Sequence, residues 1–243
     1  MIISHHLETG NTNMAYTVKS TASQQHRKLD MLGYGMPGAG KTFGIGEFKR
    51  AGLEPFVLAA DPGGLITIKS LDVPFVEIND KKTIIEVIKD IQTGKLDLRQ
   101  YGVLCLDGLT NLSYLCLKET GESANDRRLD YSNYWISFKR IIDEFRRLPF
   151  HIYTNCLEGP LKEGGERRGA FIEGSKFSIQ LTGMFNTLVC YRSYISGVDN
   201  YGNPVKKYFI QTGDDGIYHC RDRTGCCSFY ENSIVDVVNK IIY

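Results

Sequence analysis

Gly35-Met36-Pro37-Gly38-Ala39-Gly40-Lys41-Thr42 fits the phosphate-cradling pattern G-x-x-x-x-G-K-[ST] at every specified position. Backbone N–H groups approach a polyphosphate closely only where side chains are absent, hence Gly35, Gly38 and Gly40, with Pro37 and Ala39 between them. Lys41 would bring positive charge to the β- and γ-phosphates, and Thr42 a hydroxyl to Mg²⁺. Both fall in the first turn of a helix that continues through Phe43, whose N-terminal dipole also favours the anion. The residue types therefore predict a site for ATP and Mg²⁺. The competing reading is a Gly-rich turn, or a loop that holds nucleotide without hydrolysing it.

Such a loop must join a strand to a helix. Leu29-Asp30-Met31-Leu32-Gly33-Tyr34 can form a short buried strand, and Thr42 to Arg50 a helix ending near Gly52. A phosphate loop also needs a carboxylate ending a second buried strand to order Mg²⁺. Asp107, at the end of Val103-Leu104-Cys105-Leu106, has that place; it could instead cap the helix beginning near Leu109. The next residue is Gly108, so the glutamate that AAA+ ATPases place directly after this aspartate is missing. Asp61, ending Phe56-Val57-Leu58-Ala59-Ala60, holds the place where RecA-like ATPases instead carry their catalytic carboxylate. Its plainer reading is an Asp-Pro-Gly turn.

Along the rest of the chain, residues 1 to 26 are polar and weakly periodic, a loosely held lead-in to one domain over 27 to 243. Pro74 to Ile78 is another apolar run, and Ile84, Ile85, Val87, Ile88 and Ile91 recur at helical spacing. Helices are predicted over 109 to 119 and 132 to 147, then a strand over Phe150 to Asn155 and a Gly- and charge-rich loop over Leu157 to Gly174. Thr187 to Tyr194, Val205 to Gln211 and Ile217 to Cys220 read as strands, and Glu231 to Ile242 as a closing helix. Alternating strands and helices followed by strands predict an α/β fold: a mostly parallel sheet flanked by helices, with antiparallel edge strands near the C-terminus.

Composition narrows the partners. In 243 residues, 29 Lys plus Arg stand against 28 Asp plus Glu, so any nucleic-acid surface must be local. The seven cysteines form no C-x-x-C and read as reduced thiols in a cytosol-like compartment; zinc at His219, Cys220, Cys226 and Cys227 is disfavoured because adjacent cysteines pair poorly as ligands. No apolar run approaches bilayer length and no signal peptide is evident, so a cytoplasmic protein without membrane contact is expected.

Taken together, Gly35 to Thr42, Asp61-Pro62-Gly63-Gly64, Leu104 to Thr110, Tyr153-Thr154-Asn155 and Arg221-Asp222-Arg223-Thr224-Gly225 resemble the phage-encoded, RecA-like recombination ATPases. Those proteins work beside a single-strand DNA-binding or annealing protein. The resemblance spans about residues 28 to 227 and implies a RecA-like P-loop core acting on single-stranded DNA as a homo-oligomer in the host cytoplasm. It makes Asp61 the water-activating carboxylate, in place of the usual glutamate, and Asn155 a polar sensor of the γ-phosphate. Arg221 and Arg223 become a basic pair reaching a neighbour's nucleotide, and the loop with Lys162, Arg167 and Arg168 a DNA-contacting segment. Each has a blander alternative: a strand-end amide for Asn155, a surface turn for the arginine pair and a solvated charged loop for the last, where Glu163 and Glu166 offset the charge. Two other functions stay open: a nucleotide-gated module of a replication or packaging complex, and a small-molecule kinase with a thin arginine lid.

Overall fold

The computed structural model describes residues 28–121, 127–162 and 165–243; the expected lead-in over 1 to 26 lies outside the described residues. Its centre is β1 (Asp30–Gly35), buried at all six positions, as expected for a strand covered on both faces. β1 lies between two parallel neighbours, β5 (His151–Pro160) and β7 (Thr187–Val198). Beyond β5 follow β4 (Val103–Asp107), β2 (Pro55–Ala59) and β3 (Phe75–Glu77), all parallel. Beyond β7 the sheet turns antiparallel through β8 (Pro204–Gln211) to β10 (Tyr230–Glu231). The expected fold class is the observed one.

One face carries α1 (Lys41–Glu47), which continues as a 3₁₀ turn over Phe48–Ala51, and α6 (Ile234–Ile242). Ile45, Phe48, Val237, Val238 and Ile241 bury against it. The other face carries α2 (Lys81–Gln92), α3 (Leu109–Gly121), α4 (Arg127–Arg147) and α5 (Ser175–Met184). Ile84, Leu112, Phe138, Phe145 and Leu181 fill that layer with Tyr134 of α4, and half-buried Trp135 stacks on Phe177. Among the described residues, no helix is long and apolar enough to cross a membrane.

Residues 157 to 174 depart from the expected loop. β5 runs on to Pro160, and β6 (Arg168–Phe171) pairs with it antiparallel from Leu157↔Phe171 to Pro160↔Arg168. The glycines that signalled a loop are notches in this hairpin: a Cβ on Gly159 would stand 2.7 Å from the Phe171 ring, and one on Gly169 2.6 Å from Leu161. α5 follows, where Phe177, Leu181 and Met184 recur at helical spacing and pack on the core. Ile217 to Cys220 forms only a bridge from Tyr218 to Arg168, and the short strand is β9 (Arg221–Asp222) on β7. α6 starts three residues later than expected, because Ser233 and Asp236 form a capping box that fixes its first turn.

Candidate functional site

The phosphate loop leaves β1 at Gly35, where a Cβ would stand 2.6 Å from the Tyr191 carbonyl oxygen. Gly38 (φ 73°) and Gly40 (φ 95°) take the left-handed backbone that the turn requires. Gly40 caps α1 without a side-chain hydrogen bond, so no capping side chain occupies the amides of the first turn. Lys41 Nζ donates to the carbonyls of Gly35 (2.8 Å) and Met36 (2.9 Å), and its burial lowers its pKa. The loop thus holds its cation on its own carbonyls, within reach of any phosphate laid over it.

Beneath the loop lies a pair that sequence reasoning missed. Tyr153 on β5 donates to Tyr191 Oη on β7 at 2.8 Å and reaches the Lys41 carbonyl at 3.4 Å. Gly33 of β1 and Gly44 of α1 make room for it, with notional Cβ atoms 2.7 and 2.6 Å from the Tyr191 side chain. A glycine inside a buried strand and another inside a helix were the available signals.

Asp107 is only 2% exposed. Thr42 Oγ1 donates to its two oxygens at 3.3 and 3.4 Å, and Asn155 Nδ2 donates to Oδ1, while Asn155 Oδ1 accepts the Gly108 amide at 3.0 Å. Burial pushes the carboxyl up to about 6, against the opposing Asn155 and Thr42 hydrogen bonds; the nearby Asp61 charge adds to the rise and Lys41 offsets it. A Cβ on Gly64 would stand 3.4 Å from Thr42 Oγ1, 3.6 Å from Asp107 Oδ2 and 3.8 Å from Asp61 Oδ2. Three hard oxygen atoms thus face one gap kept open by bare backbone, a donor set that suits Mg²⁺.

Gly108 explains the missing glutamate. Its φ is 87°, and a Cβ there would lie 2.9 Å from both the backbone nitrogen and Cβ of Asp61. No side chain fits between the ends of β2 and β4, so the carboxylate beside the gap comes from Asp61, which is exposed to it. Asn111 Nδ2 ties down the preceding carbonyl, Ala60.

These groups line a cavity of about 660 Å³, together with Pro37, Gly38, Gly40, Phe43, Thr67 and Tyr114. Gly35 and Ala39 shape the loop from below and do not line it. A family model described as an AAA domain matches residues 27–224. The chain belongs to this AAA domain family. It is therefore a P-loop ATPase by family, and ATP binding and hydrolysis is the activity that goes with the domain. Among curated proteins no relative matches.

Elsewhere in this AAA domain the expected basic residues are already engaged. Arg221 donates to the carbonyls of Thr182 (2.6 Å) and Phe185 (2.9 Å) at the end of α5, and Arg223 reaches Gly183 O at 3.3 Å; neither lines the cavity. Arg168 pairs with Glu158 (2.9 Å) and Arg167 with Asp214, so the β5–β6 hairpin keeps only Lys162 of its three expected cations outside an ion pair among the described residues.

Proposed function

We propose that this AAA domain is a Mg²⁺-dependent, RecA-like ATPase that acts in phage DNA recombination or annealing on single-stranded DNA, as a homo-oligomer beside a phage single-strand DNA-binding or annealing protein. The observation that carries the catalytic part of this reading is the closed position at Gly108, which leaves Asp61, across the gap from Thr42 and Asp107, as the carboxylate able to take a proton from the attacking water. The DNA part is supported by the resemblance to the recombination ATPases. Asp61 is one methylene shorter than glutamate, so turnover is slow without assembly. Bound Mg²⁺ would neutralise phosphate charge between Thr42 and Asp107. Lys41 leaves the Gly35 and Met36 carbonyls for the β- and γ-phosphates and offsets charge on the departing ADP oxygen. Asn155, bonded to both Asp107 and the Gly108 amide, reports the γ-phosphate to β5. Of the two arginines, Arg223 is the freer to act on a neighbour's nucleotide, because Arg221 is committed to two carbonyls.

The test is ATP turnover with and without single-stranded DNA, with Lys41→Ala as control. Turnover raised several-fold by DNA and lost in Lys41→Ala is the expected outcome. Tight ATP binding without turnover in either condition would replace this reading with a nucleotide-gated module of a replication or packaging complex. Stimulation by a nucleoside rather than DNA would point to a kinase, which the paired state of Arg167 and Arg168 disfavours as a lid.

A further inference from the structure

β7 follows β1 as far as Cys190 and then runs on with β8 alone from Arg192 to Val198, so residues 192 to 209 form a two-stranded arm beyond the phosphate-loop edge of the sheet. A two-stranded ribbon is marginal by itself in water, and this one exposes large side chains on both faces. Tyr194 and Lys207 are directly opposite in the ladder, which puts them on one face. On the other, Lys206 Nζ lies 5.4 Å over the Tyr208 ring. Tyr201, at the tip, is 90% exposed.

The charges on this arm are one-sided. Its single carboxylate, Asp199, is used inside the turn, where it accepts from the amides of Tyr201 and Asn203 (2.8 Å each) and from Asn203 Nδ2 at 3.1 Å. Arg192 is held by Gln211 and Asp215. Among the described residues, neither Lys206 nor Lys207 is in an ion pair.

From this placement we infer that the β7–β8 arm is a single-stranded DNA-binding element around which the strand passes, with Lys207 on one face and Lys206 on the other meeting phosphates, and Tyr201 and Tyr194 as stacking platforms for bases. The inference rests on the proposed DNA function and moves its DNA contact from the β5–β6 hairpin, whose arginines are paired, to the arm. Lysines interleaved with exposed tyrosines match what a strand with bare bases needs: charge along its backbone and aromatic faces for bases of any sequence. Exposed Ile195, Val198 and Val205 would also suit a second copy of the chain, but burying two unpaired lysines against protein is unfavourable, and lysine is depleted from protein interfaces. The root of the arm lies beside the phosphate loop, since Tyr208 is 3.8 Å from the position a Cβ would take on Gly40. A nucleotide on the loop can therefore bias the arm.

The experiment is fluorescence anisotropy of a labelled oligo-dT across a salt series, using the full chain with ATP. Two variants are compared with wild type: Lys206→Ala/Lys207→Ala and Tyr201→Ala, with Tyr201→Phe as the conservative partner. ATP affinity without DNA, unchanged in each, shows that the variants fold. The lysine pair is expected to lower the slope of log affinity against log salt by about 1.4, from about 0.7 per phosphate released. Tyr201→Ala is expected to weaken binding about tenfold and Tyr201→Phe to restore it. Wild-type affinity and salt slope in both alanine variants, with wild type binding DNA, would overturn the arm as the contact and leave the DNA function standing. The same result with a drop in sedimenting mass would make the arm an interface between copies. Failure of wild type to bind the oligonucleotide in any nucleotide state would sink the DNA function itself.

Discussion

Two buried aspartates sit at opposite ends of the parallel sheet, Asp30 at the start of β1 and Asp107 at the end of β4, exposed by 7% and 2%. Asp30 has a permanent cation: Arg146 Nε donates to Oδ1 at 2.9 Å and its Nη2 to Oδ2, while the guanidinium also covers the Phe185 ring. Lys28 joins that end by donating to the carbonyls of Arg146 (2.7 Å) and Leu148 (2.6 Å). Asp107 has only neutral donors, Thr42 and Asn155, so burial drives its carboxyl up to about 6. A buried carboxylate matched by an arginine fixes structure. One left without a cation at the carboxyl edge of the strands, where ligands bind in open α/β sheets, is held ready for a charge from outside.

Several substitutions would break or sharpen that contrast, the largest effect coming first. Asp107→Asn should lower Mg²⁺-dependent ATP turnover by at least about a hundredfold while raising the thermal midpoint above pH 7, because it removes a buried charge. Asp30→Ala should do the opposite. It leaves Arg146 only the longer contact to Asp143 at 3.9 Å, costing about 3 kcal/mol in urea denaturation, with ATP affinity at the remaining folded protein unchanged. If both variants lost stability equally, the two ends would be equivalent and the contrast void.

Gly108→Ala should cost about 1–3 kcal/mol of stability and lower kcat more than it raises KM, since it strains the left-handed backbone and displaces Asp61. Steady-state kinetics beside thermal melts would show this, and equal kcat in the two proteins would break the assignment of Asp61. A pH series separates the aspartates again. The folded Asp107 carboxyl lies near 6, above its ordinary 3.8, so the fold prefers the protonated form and loses that preference as pH rises from about 4 to 6. The Mg²⁺ site needs the ionised form, so apparent Mg²⁺ affinity should weaken as pH drops through about 6, while saturating Mg²⁺ moves the fall in turnover to lower pH; an Mg²⁺ affinity independent of pH there would show that Asp107 does not face the ion. The smallest expected difference is between Arg221→Ala, which should lower the thermal midpoint by uncapping α5, and Arg223→Ala, which should leave the midpoint alone and reduce only turnover by the assembled protein.

Much of the site was legible because its signals are local. Gly35 to Thr42 carry their conformation and chemistry in eight consecutive residues, and Val103–Asp107 was recognisable as a strand ending in a carboxylate. What stayed hidden involves partners distant in the chain. The Tyr153–Tyr191 pair beneath the loop spans 38 residues, and the Arg146–Asp30 pair 116. The β5–β6 hairpin was masked by Gly159 and Gly169, which read as loop formers locally but are spaces for Phe171 and Leu161 across the ladder.

The sequence by itself determined the phosphate loop, the α/β alternation and the two carboxylates at strand ends, because turn geometry and hydrophobic period are written over a few neighbouring residues. Only the tertiary structure decided that no side chain fits at Gly108, that Arg167, Arg168 and Arg221 already have partners, and that Lys206 and Lys207 are in no ion pair among the described residues. Whether a charge is paired and whether a Cβ has room depend on atoms that the chain brings together only when it folds.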